Sequence, residues 1–266
     1  MTEHKKVKSA NGITHYWISR NENKNAVCIV FTHGVTANHI MFDKQLEFFS
    51  KDYTVITWDV PLHGISRPYK DFSFENTAKE LKSILEAEQI GNVVLVGMSL
   101  GGYPSQEFAL RFPEMVLGFV ALDTTPYGLA YYSKFDRWCV RQVEPMAKLF
   151  PDKTLRKSMA KSVSETDYSY NVMTKMLEPL SKAEIVQQMG IAYAGFLKEN
   201  RDANFNFPVL ILLGEHDKTG KVSAYCKAWA EREGYPLHII KNAAHFSNGD
   251  NPHAVNREIE EFIKKL

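Results

Sequence analysis

The chain has 266 residues, 44% of them hydrophobic and 24% charged. Thirty-two Lys and Arg against thirty-one Asp and Glu leave a formal charge of +1. That balance excludes the basic footprint of a nucleic-acid binder, and the apolar content excludes a disordered chain. The length suits one large domain, or one domain with an insertion, whose core folds without disulfides or metal.

No apolar run reaches the ~18 to 20 residues of a membrane-spanning helix, so no stable membrane insertion is expected. The opening Met1-Thr2-Glu3-His4-Lys5-Lys6 is polar and leads into no signal-peptide core. Cys28, Cys139 and Cys226 are odd in number and far apart, the usage of a reducing compartment. The expectation is a soluble cytoplasmic protein, monomer or homodimer.

In chain order, Asn11-Gly12 is a turn signal, and residues 14–20 after it read as an antiparallel edge strand of a hairpin. Short, nearly all-apolar runs follow at 26–31, 53–58, 92–96, 115–122, 209–213 and 237–240. They do not alternate, as expected of strands buried on both faces of a parallel sheet. Between them, 74–89 has helical spacing, with Leu81, Ile84 and Leu85 on one face and Gly91 where a C-cap would fall. Asn251-Pro252 opens a last helix carrying Val255, Ile259, Phe262, Ile263 and Leu266. Strand and helix therefore alternate, which predicts an α/β layered fold.

The alternation stops between residues 124 and 206. No strand is expected there, only helical segments rich in aromatics and Met, among them Tyr127, Tyr132, Phe135, Trp138, Met173, Met176 and Phe196. Residues 1–123 and 207–266 read as a core, and 124–206 as an all-helical cap emerging at the sheet's carboxyl edge. Most of its aromatics are expected to form the cap's own small core. Lys148, Lys153, Arg156, Lys157 and Lys161 make a basic stretch in it, read as a solvated face.

The residues that carry chemistry stand at strand ends. After the 92–96 run comes Gly97-Met98-Ser99-Leu100-Gly101-Gly102, a G-x-S-x-G pattern between strand and helix. A turn that lifts Ser99 above the sheet leaves no room for side chains at 97 and 101. Thr32-His33-Gly34-Val35-Thr36 follows the 26–31 run, where the backbone N–H of Val35, with that of Leu100, is placed to bind an oxyanion. Gly214-Glu215-His216-Asp217 and Asn242-Ala243-Ala244-His245-Phe246 follow the next strands in turn. Asp217 is the first choice of acid; Asp123 and Glu215 are its rivals. His33 reads as a brace for its loop, His63 and Asp59 as structural, and His39 as a solvent-exposed helix start. No metal-ligand cluster is seen around His216, and neither metal nor cofactor is expected.

The chain order Ser, Asp, His at these positions resembles the serine α/β-hydrolases with a helical cap, and the likeness spans essentially the whole chain. Asp59-Val60-Pro61-Leu62-His63-Gly64-Ile65-Ser66 adds to it, with Leu62 where that family's loop usually has Gly. The resemblance implies a mostly parallel eight-stranded sheet flanked by helices, with the cap inserted after the sixth strand. In it Ser99 attacks a carbonyl carbon, His245 carries the proton, and Asp217 orients the imidazole. Serine at this turn points to acyl transfer. The expected substrate is a small to medium apolar carboxylic ester. Carbon–carbon bond or lactone hydrolysis by the same triad, and a low-turnover ligand receptor, are the alternatives.

Overall fold

The computed structural model describes all 266 residues. Eight strands form one sheet: β1 (Thr2–Lys8), β2 (Ile13–Ser19), β3 (Cys28–Thr32), β4 (Thr54–Trp58), β5 (Val93–Met98), β6 (Val116–Leu122), β7 (Val209–Gly214) and β8 (Leu237–Ile240). Their order is β1-β2-β4-β3-β5-β6-β7-β8. Pairing is antiparallel for β1 with β2 and β2 with β4, and parallel across the rest. Helices α1 (Asp43–Phe49), α2 (Phe74–Ala87) and α3 (Gly102–Arg111) connect the earlier strands. Between β6 and β7 lie α4 (Lys134–Leu149), α5 (Asp152–Val163), α6 (Asp167–Leu177) and α7 (Lys182–Glu199). The chain then adds α8 (Val222–Glu233), α9 (Ser247–Asp250) and α10 (Pro252–Ile263).

The unbroken apolar strands are explained by cover on both faces. Val94 and Val96 of β5 join one buried cluster with Phe49 of α1 and Val255 and Ile259 of α10. Val93 and Leu95 point the other way, into a cluster with Leu81 and Ile84 of α2, Phe108 of α3 and Trp229 of α8. Each such side chain contributes about 1.5–3 kcal/mol of burial, and the helices must stay on both sides to keep it.

The chain leaves β3 toward β4 on one side, and β5 then lies on the other. That reversal opens a crevice above the carboxyl ends of β3 and β5. Thr32 pairs with Gly97, Gly97 with Ala121, and Leu122 with Leu212. The loops after β3, β5, β6 and β7 therefore start at one level on one edge.

Three expectations are corrected. Residues 14–20 are not the edge of the sheet: the polar start forms β1 outside β2, held by its ladder to β2 and not by burial. The left-handed residue after α2 is Gln89 (φ 56°), not Gly91, because the helix ends at a Glu88 cap. The aromatics of 124–206 do not form a core of their own. Tyr127, Tyr132 and Phe196 cluster with Phe74 and Leu100 from outside the insertion, Met173 and Met176 continue the sheet's core, and Phe135 and Trp138 are exposed.

The first hairpin is fastened to α2 by one buried carboxylate. Glu88 accepts the Tyr16 hydroxyl at 2.5 Å and is paired with Lys5 at 3.2 Å and with Arg20. Burial raises the pKa of Glu88, but these hydrogen bonds and cations more than offset it and hold it below the usual glutamate range. In Glu88→Ala the half-exposed cations rehydrate at little cost, whereas the buried Tyr16 hydroxyl loses its acceptor. A loss of about 2 kcal/mol is expected in urea unfolding; an unchanged midpoint would contradict this fastening.

Candidate active site

Ser99 occupies a left-handed backbone conformation, φ 51°, which costs an L-residue about 1–2 kcal/mol. The surroundings enforce it. A Cβ on Gly101 would lie 2.1 Å from the Thr32 carbonyl oxygen, and one on Gly97 would lie 2.7 Å from that of Gly101. The turn is pinned further by the Thr124 hydroxyl, which donates to the Ser99 carbonyl at 2.6 Å, and by that of Ser105, donating to Gly101 at 2.7 Å.

The structure brings the three residues singled out at the strand ends into one chain of hydrogen bonds. Ser99 Oγ lies 2.8 Å from His245 Nε2, and His245 Nδ1 lies 2.8 Å from Asp217 Oδ2. The other Asp217 oxygen accepts the Thr219 N–H at 2.8 Å. Burial lowers the His245 pKa, but the charge and hydrogen bond of Asp217 outweigh it, so the imidazole stays above the ordinary histidine value. Burial likewise raises Asp217, and His245 pulls it below the usual carboxylate range. Such an array polarises the serine hydroxyl toward a neutral imidazole that is ready to accept its proton.

The rival acids are elsewhere. Glu215 faces solvent with Lys241. Asp123 is buried behind the site, accepting the Gly214 N–H at 2.7 Å and the Ser247 hydroxyl. It thereby ties the loop that carries Asp217 to the segment just after His245. Burial, then the nearby Asp217 charge, push its pKa up to about 7, so near neutrality it is only partly ionised and competes weakly with Asp217 for the imidazole. Asp250 is a brace that the sequence reading missed. Its carboxylate accepts the Ala244 N–H beside His245 and the Glu165 and Thr166 N–H groups at the start of α6, each at 2.9 Å.

Val35 and Leu100 both line the cavity beside Ser99. The loop between β3 and α1 packs tightly there: a Cβ on Gly34 would lie 3.3 Å from that of Ser99. The Val35 N–H donates to no backbone acceptor outside the helices and strands. His33 braces this loop as expected: Nδ1 donates to the Gly34 carbonyl at 2.8 Å and Nε2 accepts the Val60 N–H at 3.0 Å. Burial pushes its pKa down to about 4, which suits the neutral ring these two bonds require. Asp59 accepts the Ile65 N–H at 2.7 Å and pairs with His39 at 2.7 Å. His39 is therefore not a solvent-facing helix start but a half-buried partner of Asp59, stacked on Trp17 at 3.3 Å. Leu62, where glycine was the expectation, takes the left-handed conformation itself, φ 70°.

The cavity measures about 490 Å³, and 13 of its 22 lining residues are hydrophobic. The core supplies Ser99, Tyr103 and His245; α4 supplies Cys139, Val140 and Val143, and α7 supplies Ala192, Tyr193 and Phe196. Lys221 is its one ammonium, and that is taken up by Asp136 of α4 at 2.6 Å. In the basic stretch, Arg156 is half-buried and donates to the Leu177 and Leu180 carbonyls at 2.6 and 2.5 Å, so it is a brace; Lys153, Lys157 and Lys161 are exposed.

The model of the alpha/beta hydrolase fold family matches residues 27–252. The chain belongs to that family. Among relatives of this α/β-hydrolase, 2-(acetamidomethylene)succinate hydrolase of Mesorhizobium japonicum is 27% identical, over 88% of this chain and 87% of its own. The 3-oxoadipate enol-lactonase 2 of Acinetobacter baylyi is 23% identical over 90% and 89%. A thermophilic esterase from Thermogutta terrifontis has the same fold, with a TM-score of 0.78 at 17% identity over 99% of this chain and 98% of that one. No helix is long and apolar enough to cross a membrane.

The geometry sets an order for the two carboxyls. In histidine NMR titrations His245 is expected to titrate above 6.5, the ordinary value. Asp217→Asn removes both a charge and the hydrogen-bond acceptor and should lower that midpoint strongly. Asp123→Asn removes only a partial charge and should lower it slightly. The reverse order would make Asp123 the partner of the imidazole.

Proposed function

We propose that this α/β-hydrolase cleaves small to medium carboxylic esters with an uncharged, apolar acyl part, through an acyl-enzyme on Ser99. The observation that carries the reading is the unbroken Ser99–His245–Asp217 chain opening on an apolar cavity. Ser99 Oγ attacks the carbonyl carbon while His245 Nε2 takes its proton. The oxyanion meets the N–H groups of Val35 and Leu100. The tetrahedral adduct collapses, His245 protonates the departing alkoxide oxygen, and the acyl group remains on Ser99. Water, deprotonated by His245, then attacks the acyl carbon and the serine is restored. Asp217 remains ionised throughout, holding the ring in the tautomer that accepts from serine.

The proposal favours uncharged acyl groups because the wall offers no free cation: Lys221 is engaged by Asp136. A dicarboxylate such as the one in the name of the Mesorhizobium relative would find no counter-charge here, and burying a carboxylate unpaired is costly. We read 124–206 as a cap, since α4 and α7 wall the cavity. The three free cysteines suit a reducing compartment such as the cytoplasm.

The test is a turnover panel of 4-nitrophenyl esters of increasing acyl length, a neutral lactone, a ketone-flanked carbon–carbon substrate and a dicarboxylate monoester. Short to medium neutral esters should turn over with the highest kcat/KM, and the dicarboxylate should be poorest. Asp217→Asn should cost on the order of 10⁴-fold in kcat. Faster lactone or carbon–carbon cleavage would overturn the ester assignment. Stabilisation by a bound ester without product would point to a receptor.

A further inference from the structure

Helix α4 has a second face, adjoining the one that lines the cavity, that nothing in the protein covers. The spacing of Phe135, Trp138, Gln142, Met146 and Leu149 places them along one line of the helix. Four of these five are large apolar side chains that face water. Phe135 is 66% exposed, Trp138 54%, Met146 55% and Leu149 84%. Phe135 and Trp138 stack on each other with centroids 5.9 Å apart, so they present a joined aromatic surface. Phe150, 43% exposed, follows at the helix's end; elsewhere the exposed large apolar residues are scattered, at Met1, Ile13, Ile65, Tyr168, Ile239 and Leu266.

One residue back along the same line run Lys134, Arg137, Arg141 and Lys148. Of these only Lys148 has a carboxylate partner, Glu144 at 2.8 Å; Lys134, Arg137 and Arg141 have none. Of the acids of α4, Asp136 is largely buried, while Glu144 is 40% exposed and pairs with Lys148. Asp136 holds Lys221 and the Ser133 cap, and the Glu144 side chain packs against Gly190 of α7. The outer face is therefore apolar, with a margin on which three cations, Lys134, Arg137 and Arg141, have no carboxylate partner. That is the pattern of a helix lying in the headgroup boundary of an anionic lipid surface. A second copy of the chain fits it poorly, because the matching face would bring unpaired cations to unpaired cations, and its one exposed carboxylate, Glu144, is already taken by Lys148.

The same helix reaches the catalytic cavity: Phe135, Cys139 and Val140 line it. The exposed stripe thus begins at the cavity's own wall. We propose that α4 docks this protein onto anionic membrane surfaces, with Phe135 and Trp138 seated at the headgroup boundary beside the cavity. The docking stands without the chemistry at Ser99. Only its use, presenting a lipid-borne ester to the cavity, rests on the hydrolase reading.

The test is flotation of the whole protein with vesicles of phosphatidylcholine alone and of an equimolar mixture with phosphatidylglycerol. Wild type should float with the mixture and not with phosphatidylcholine, release as salt is raised, and show a blue shift in tryptophan emission. Two double variants at exposed positions, Trp138→Ser with Leu149→Ser and Lys134→Glu with Arg141→Glu, should each weaken binding roughly tenfold or more while melting like wild type. Ser99→Ala should float like wild type, which keeps failure of the chemistry distinguishable from failure of the docking. Absence of binding to either vesicle, or equal binding to both, overturns the proposal. So does a wild-type dimer that Trp138→Ser with Leu149→Ser converts to monomer.

Discussion

Ser99 is held in a backbone conformation that an isolated serine avoids, and it is held there by want of space. Between β5 and α3 the chain reverses so sharply that residues 97 and 101 approach backbone within 3 Å of where a Cβ would be. That crowding fixes where the hydroxyl points, and so where a histidine must come to meet it. The strain at one residue, about 1–2 kcal/mol, is small beside the core that holds the two elements. It is tolerable because β5 is the central strand, buried on both faces by separate clusters.

The partners of Ser99 arrive on two loops with no regular structure of their own, and the protein spends buried polar groups to hold them. Asp123 bridges Gly214 to Ser247; Asp250 bridges Ala244 to the start of α6; and the Phe246 N–H donates to the Val163 carbonyl at the end of α5, at 2.7 Å. The helical insertion therefore does more than wall the cavity: two of its elements fix the flank of His245. Electrostatics then separates two carboxyls that share one neighbourhood. Asp217 has the imidazole and a backbone donor and stays ionised, while Asp123, fully enclosed beside that charge, is pushed up toward neutrality.

Most of the sheet was legible because strands buried on both faces must be apolar throughout, and each such run in the sequence became a strand within two residues of its expected ends. The meeting of Ser99, Asp217 and His245 was legible because the crevice lies where strand order reverses, so the strand-end loops had to converge. Strand β1 was not legible: its Lys and Glu residues bury nothing, and only pairing with β2 makes it a strand. Asp217 was the first choice of acid, but Asp123 stayed a rival for a related reason. Both follow strands, and which one reaches the imidazole depends on loop shape, which spacing does not encode. Asp250 escaped notice because its partners at 165 and 166 are about 85 residues away in the chain. The insertion's aromatics were misjudged because composition carries no direction: the same residue types line the cavity, extend the core or face water.

The central claim is that Ser99 is an activated nucleophile, and intact-mass labelling with a reactive fluorophosphonate tests it without knowledge of the substrate. One adduct on the wild-type protein, absent from Ser99→Ala and from His245→Ala, is the predicted result. No adduct on well-folded wild type, or an adduct that survives Ser99→Ala, would contradict the account.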